Sequence, residues 1–180
     1  MESETLKKRF IELYNGESDS IFRFCLLRTS DREVALDLMQ DTFISFWEVL
    51  SKGRGRIQEG KIQNERAFLF TIARNRIIDW YRKKKTLSLD SLAEDTGGDV
   101  DVFMEAAPQG DIELAHEAKF LLEKLKELDP QYQQVVYLRF VEELKPKEIA
   151  DILGESVNAI SVRIHRGIAQ LRTRAGYDES

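Results

Sequence analysis

Apolar positions recur three and four residues apart through most of the chain, the spacing of helices with one buried face, and only one short run alternates residue by residue. Residues 4 to 14 predict a short amphipathic helix that ends at Asn15-Gly16. Residues 19 to 29 predict a second, with Ile21, Phe22, Phe24, Cys25 and Leu26 as its apolar content. Ser30 followed by Glu33 has the form of a capping box and predicts a third helix from Asp31 to about Leu50, carrying Val34, Leu38, Thr42 and Trp47. Gly53, Gly55 and Gly60 then break the pattern with a basic loop, after which Asn64 caps a fourth helix running to about Lys85. The alternating run Thr86 to Asp90 has no partner pattern elsewhere, so it reads as a docking segment of a linker rather than a strand.

Toward the C-terminus the pattern changes to two short helices joined by a tight turn. Pro146 suits a first helical turn, Gly154 falls where a helix stops in a left-handed conformation, and Ser156 caps the helix that follows. Val157, Ile160, Ile164, Ile168 and Leu171 predict its packed face. The opposite face is left to Asn158, Ser161, Val162, His165 and Arg166, the layout of a helix-turn-helix whose second helix enters a major groove. An ordinary helical hairpin with a solvated face is the competing reading.

Composition narrows the class. A chain of 180 residues with 42% hydrophobic and 33% charged content is long enough for two small helical domains. No apolar run reaches membrane-spanning length, and the N-terminus lacks the basic-then-apolar order of a signal peptide, so membrane insertion is not expected and a cytoplasmic location is. The single cysteine, Cys25, lies among apolar neighbours and reads as a core residue. His116 and His165 belong to no metal-ligand spacing. No metal, cofactor or catalytic residue is expected.

The net charge of −5 argues against nucleic acid until it is divided along the chain. Residues 86 to 111 carry seven acids and no base, together with Gly97-Gly98, Pro108 and Gly110, which predicts an acidic flexible linker. Residues 74 to 85 have a local charge of +5 and residues 144 to 174 one of +3. Two basic segments therefore flank one acidic spacer, and local charge governs phosphate affinity. The expected architecture is all-α, with a domain over 1–85, the linker over 86–111 and a helix-turn-helix domain over 112–180.

The fourth predicted helix divides into two faces. Leu69, Phe70, Ala73, Ile77 and Trp80 share the packing side, while Asn75, Asp79 and Arg82 form a polar stripe at i, i+4 and i+7. With Arg74, Arg76 and Lys83 to Lys85 beside it, the stripe offers hydrogen bonds for bases and charge for phosphates; Phe68, Ile72 and Tyr81 lie close enough to stack on unpaired bases. The alternative is that Asp79 merely pairs with Arg82 or Lys83 on a solvated face.

Three runs together resemble the extracytoplasmic-function group of bacterial RNA polymerase sigma factors, over nearly the whole chain. The run from Asp37 to Phe43, closing on Trp47, is similar to the helix of that family's second conserved region that docks on the polymerase clamp. Ala67 to Arg82 resembles its element for reading and opening the minus-ten promoter region. The C-terminal run, from Leu125 and Leu128-Asp129-Pro130 through Val136 to Phe140 and on to the helix-turn-helix, resembles the fourth region, which reads the minus-thirty-five element. Pro146, Glu155 and Asn158 depart from the family pattern: an aromatic or polar residue, an apolar residue and Gly are usual there. The small members of the family have no domain before the first region or within the linker, and the same is expected here.

The resemblance implies a set of roles. Asp37, Gln40 and Asp41 would meet the polymerase clamp, and the C-terminal domain the flap. Asn75, Asp79 and Arg82, with Arg74, Arg76, Lys83 and the loop from Ser51 to Gln63, would engage single-stranded DNA at the minus-ten element and hold a base taken from the stack. Asn158, Ser161, Val162, Arg163, His165 and Arg166 would read duplex DNA at the minus-thirty-five element. Core RNA polymerase and promoter DNA are the implied partners, and the family admits an anti-sigma factor as a third. Two other classes compete: a helix-turn-helix regulator that works without polymerase, and a magnesium-dependent nuclease. The first leaves the basic, aromatic helix at 64–85 without a task, and the second lacks an acidic cluster on a basic surface.

Overall fold

A computed structural model describes residues 2–51, 64–87 and 112–177, and all regular structure among them is helical. The chain divides into two compact units, Met1–Gly98 and Asp99–Ser180. The loop expected over 51–63 lies, but for Ser51, outside the described residues, as does the linker from residue 88 to 111.

The first unit is a bundle of α1 (Glu2–Thr29), α2 (Arg32–Ser51) and α3 (Glu65–Leu87), each packed on the other two. Helix α1 runs without interruption through Asn15-Gly16, where the sequence predicted a break. A glycine inside a helix costs about 1 kcal/mol relative to alanine. That cost is small against the anchors on either side: Phe10 packs edge-on against Trp47 at 5.2 Å, Ile21, Phe24 and Cys25 are fully buried, and Glu17 accepts from Arg66 Nε at 2.8 Å.

The α1–α2 connection also differs from the expected capping box. Ser30 takes a left-handed φ of 56° and its N–H donates to Leu26 O at 2.9 Å, so it closes α1. An N-cap side chain accepts from an N–H of the helix's first turn, and Asp31 does this, its Oδ1 accepting from Val34 N–H at 3.1 Å. At α3 the expected cap is present: Asn64 Oδ1 accepts from Ala67 N–H at 2.9 Å. Leu69, Phe70, Ala73 and Ile77 are buried, with Phe70 edge-on to Phe24 at 5.3 Å. The helix continues two residues past Lys85, so Thr86 and Leu87, expected in the linker, are its last turn. Cys25 is sealed in this core, where burial pushes its thiol up to about 12, so it stays a protonated packing residue.

The second unit contains α4 (Ile112–Lys126), α5 (Pro130–Phe140), α6 (Pro146–Leu153) and α7 (Val157–Ala175), with α7 packed on the other three. Pro130 and Pro146 stand in the first turns of their helices, where the missing N–H is harmless. Val135, Val136, Tyr137 and Leu138 of α5 form the middle of the core. The buried Tyr137 hydroxyl donates to Glu142 Oε1 at 2.6 Å, which gives the carboxylate of the α5–α6 turn a partner inside the unit. Gly154 ends α6 at φ 69°, and Ser156 Oγ accepts from Ala159 N–H at 3.2 Å to start α7, as the sequence predicted.

The packed face of α7 is not quite the predicted one. Val157 is 45% exposed, and Ile160 and Gly167 are the buried positions. Gly167 lets α7 approach α5 closely: a Cβ there would lie 2.6 Å from Val136 Cγ2 and 3.3 Å from Tyr132 Cβ. Both neighbours are short and stiff. Gly167→Ala is therefore expected to destabilise the unit by about 1–3 kcal/mol, because overpacking outweighs the gain in helix propensity of about 1 kcal/mol. Denaturant titration of the full chain, following the unfolding step that includes this unit, checks it; an increase in stability would refute the tight approach.

Candidate nucleic-acid and polymerase interfaces

The packing of α3 fixes which of its residues face outward. Asn75, Asp79, Arg82 and Lys83 are exposed on the side opposite Leu69, Phe70, Ala73 and Ile77, so the predicted stripe is continuous. Arg82 Nη1 lies 3.6 Å from Asp79 Oδ1, with side chains 78% and 55% exposed. A pair so wet contributes little and opens readily, so it leaves both groups available to a ligand. Arg74 is half-buried close to Arg28. The Arg28 guanidinium is held below its ordinary range, chiefly by burial, with Tyr81 acting in the opposite sense and Arg74 adding to the depression.

Not every basic or aromatic group on α3 is equally free. Arg76 donates to Ser45 Oγ on α2 at 2.5 Å, and the Lys84 ammonium sits 5.0 Å above the ring of Trp80, which is itself only half-buried. Tyr81 donates its hydroxyl to Arg28 O at the end of α1, which leaves its ring 42% exposed in a fixed orientation. Phe68 is half-buried against Phe46 at 6.2 Å, so it is part of the core edge rather than a free stacking surface. Ile72 is half-buried as well.

Asp37, Gln40 and Asp41 are all exposed on α2, but they divide between two depressions. Asp37 and Asp41 line a cleft of about 180 Å³ between α2 and α3, facing Arg76, Asp79, Trp80 and Lys83. Gln40 lies on the wall of a larger apolar groove of about 550 Å³ between α1 and α2, formed with Phe10, Ile11, Tyr14, Phe43, Ile44 and Trp47. Ile11 and Ile44 are 55% and 58% exposed there. Ile11, Tyr14 and Ile44 are not among the residues expected from the sequence to form a site. The available signal was apolar content exceeding what one buried stripe per helix can use.

On α7, Asn158, Ser161, Val162, His165 and Arg166 are all exposed, whereas Arg163 is half-buried. Arg163 turns back toward the turn before the helix. Its Nη1 donates to Glu155 Oε1 at 2.9 Å and its Nη2 to Glu155 Oε2, a two-pronged pair that position along the helix does not reveal.

Two stretches of the chain match known families: residues 13–86 match Sigma-70 region 2 and residues 121–171 match Sigma-70, region 4. RNA polymerase sigma factor YlaC of Bacillus subtilis is 29% identical over 161 residues, 89% of this chain and 88% of that protein. ECF RNA polymerase sigma factor SigM of the same organism is 26% identical over 172 residues, 93% of this chain and 98% of that protein. Among solved structures, the sigma factor RpoE in complex with the anti-sigma factor NepR from Bartonella quintana has the same fold, with a TM-score of 0.72 at 22% identity over 96% of this chain and 99% of that one. CnrH in complex with the cytosolic domain of CnrY is similar, with a TM-score of 0.63 at 21% identity over 96% and 91% of the two chains. With both sigma-70 regions matched in order and relatives of this name aligned along nearly all of its length, the chain belongs to the extracytoplasmic-function group of the sigma-70 family, the factors that direct RNA polymerase to promoters.

Proposed function

We propose that the protein divides its task among three surfaces. Helix α2 and the adjoining groove bind core polymerase, the outer stripe of α3 holds the opened minus-ten strand, and the exposed face of α7 reads the minus-thirty-five duplex. The observation that carries this reading is the continuous stripe Asn75, Asp79, Arg82 and Lys83 on a helix separate from the helix-turn-helix. A regulator working without polymerase has no use for it. Residues 1–85 serve the clamp and the minus-ten element, 86–111 link, and 112–180 serve the flap and the minus-thirty-five element. The protein redirects an enzyme and is not one itself, and it acts in the cytoplasm. No helix among the described residues is long and apolar enough to cross a membrane. An anti-sigma factor belongs to the proposal because two chains of similar fold were solved with such a protein or with the cytosolic domain of a partner.

Capture of core polymerase by the full chain, followed by sequencing the transcripts the complex makes, tests the reading as a whole. Failure to bind polymerase would overturn it.

At the clamp surface, Gln40 stands at the apolar groove rather than in the acidic cleft, so the polymerase contact extends over Ile44. Ile44→Asp is expected to weaken core binding at least tenfold, about 1.4 kcal/mol, by placing a charge where an apolar contact forms. Because Ile44 is already 58% exposed, thermal unfolding should be nearly unchanged. Equal binding by the variant in a titration against core polymerase would remove the groove from the interface.

Alanine at Asn75, Asp79 and Arg82 together is expected to lower permanganate reactivity of the minus-ten strand while core binding stays close to wild type. Loss of core binding with normal opening would mean the stripe faces protein.

On α7 the first exposed turn and the later arginine should differ. Asn158→Ala is expected to change base preference at one position of the upstream element, by about 1–3 kcal/mol for a two-pronged contact. Arg166→Ala should weaken all upstream sequences alike and flatten the salt dependence by about one phosphate's share. A panel of single-base promoter variants at several salt concentrations separates the two, and the reverse pattern would reverse the assignment.

A further inference from the structure

Arg163 lies among exposed residues of α7, yet its charge is already committed. Both of its terminal nitrogens meet both carboxylate oxygens of Glu155, and the two side chains are only 23% and 32% exposed. Glu155 is itself held in place. Its N–H donates to Ala150 O at 3.0 Å, and it follows Gly154, whose left-handed backbone ends α6. The carboxylate thus starts from a fixed backbone and reaches across the turn to a residue two helical turns into α7. For Arg163 to reach a phosphate it would have to give up a two-pronged charge-assisted pair, whereas Arg166, one turn further on, has an exposed side chain.

We propose that Glu155 is a positioning residue for upstream-DNA recognition, withholding Arg163 from the phosphate backbone so that base-edge contacts from the exposed α7 residues carry a larger share of binding. This rests on the reading of α7 as the minus-thirty-five reader. The physical effect is on absolute affinity and its salt dependence, and the ratio of specific to non-specific affinity stays as it is: each phosphate contact strengthens all sequences equally and adds to the salt dependence, while contributing nothing to discrimination.

The test uses full-length protein assembled with core polymerase, and as probes duplexes carrying promoters recovered by transcript sequencing, with a scrambled upstream element as the non-specific partner. Glu155→Gln keeps the shape of the side chain and removes its charge. The variant holoenzyme is expected to bind native and scrambled duplexes more tightly by the same factor, with the slope of log affinity against log salt steeper by about 0.9. Adding Arg163→Ala to Glu155→Gln should return the slope to its wild-type value.

A steeper slope that persists in the double variant would mean Glu155 acts only by repelling phosphate, and the proposal would fall. An unchanged slope in Glu155→Gln, with a lowered melting temperature, would make the pair a prop of the fold and would equally overturn it. If wild-type holoenzyme selects no promoter at all, the functional reading fails first and this inference with it; promoter selection with no change in slope removes the inference alone.

Discussion

Phe70 meets Phe24 edge-on at 5.3 Å in the middle of the first unit, and the orientation of every other side chain on α3 follows from that contact. Burying an aromatic ring of this size contributes about 1.5–3 kcal/mol, and Leu69, Ala73 and Ile77 extend the same buried line along the helix. Once one side of α3 is committed to the core, helical geometry leaves Asn75, Asp79 and Arg82 facing away from it. In the second unit the close approach at Gly167 plays the corresponding part, setting how α7 lies on α5 and which residues remain outside. The surfaces proposed to meet polymerase and promoter are thus the leftover faces of two small cores.

Much of this was legible in the sequence because the signals were local. Asn64 before α3, Pro146 and Gly154 bounding α6, and Ser156 before α7 act through hydrogen bonds or backbone angles within a few residues, so neighbouring letters suffice to read them. Local signals misled where distant packing was stronger. Asn15-Gly16 has the form of a turn, but Phe10 on one side and Ile21 and Phe24 on the other hold α1 straight across it. Ser30 and Glu33 have the spacing of a capping box, but a left-handed Ser30 gives that task to Asp31.

The candidate residues could be named from the sequence, but their geometry could not. The family resemblance put Asp37, Gln40 and Asp41 together as one docking face of α2. It did not show that Gln40 borders an apolar groove while the two acids face α3, since that depends on which helix packs on each flank. Nor did spacing along α7 reveal that Arg163 belongs to Glu155, a residue in the preceding turn. Charge counting has the same limit. Arg76 on Ser45 and Lys84 over Trp80 add to the local +5 as much as any free base does, although both already have intramolecular contacts.

The cleft between α2 and α3 has a consequence for genetics. Asp37 and Asp41, on the helix proposed to bind polymerase, share about 180 Å³ with Arg76, Asp79 and Lys83 on the helix proposed to hold DNA. At such short range a change of charge on one wall alters the field felt by the other, and the solvent between them screens it only in part. Alleles on opposite walls should therefore be epistatic, with a lesion in one helix suppressed by a compensating charge in the other. A screen that scores only transcript yield would then group both walls into one phenotype, although the partners proposed for them are different.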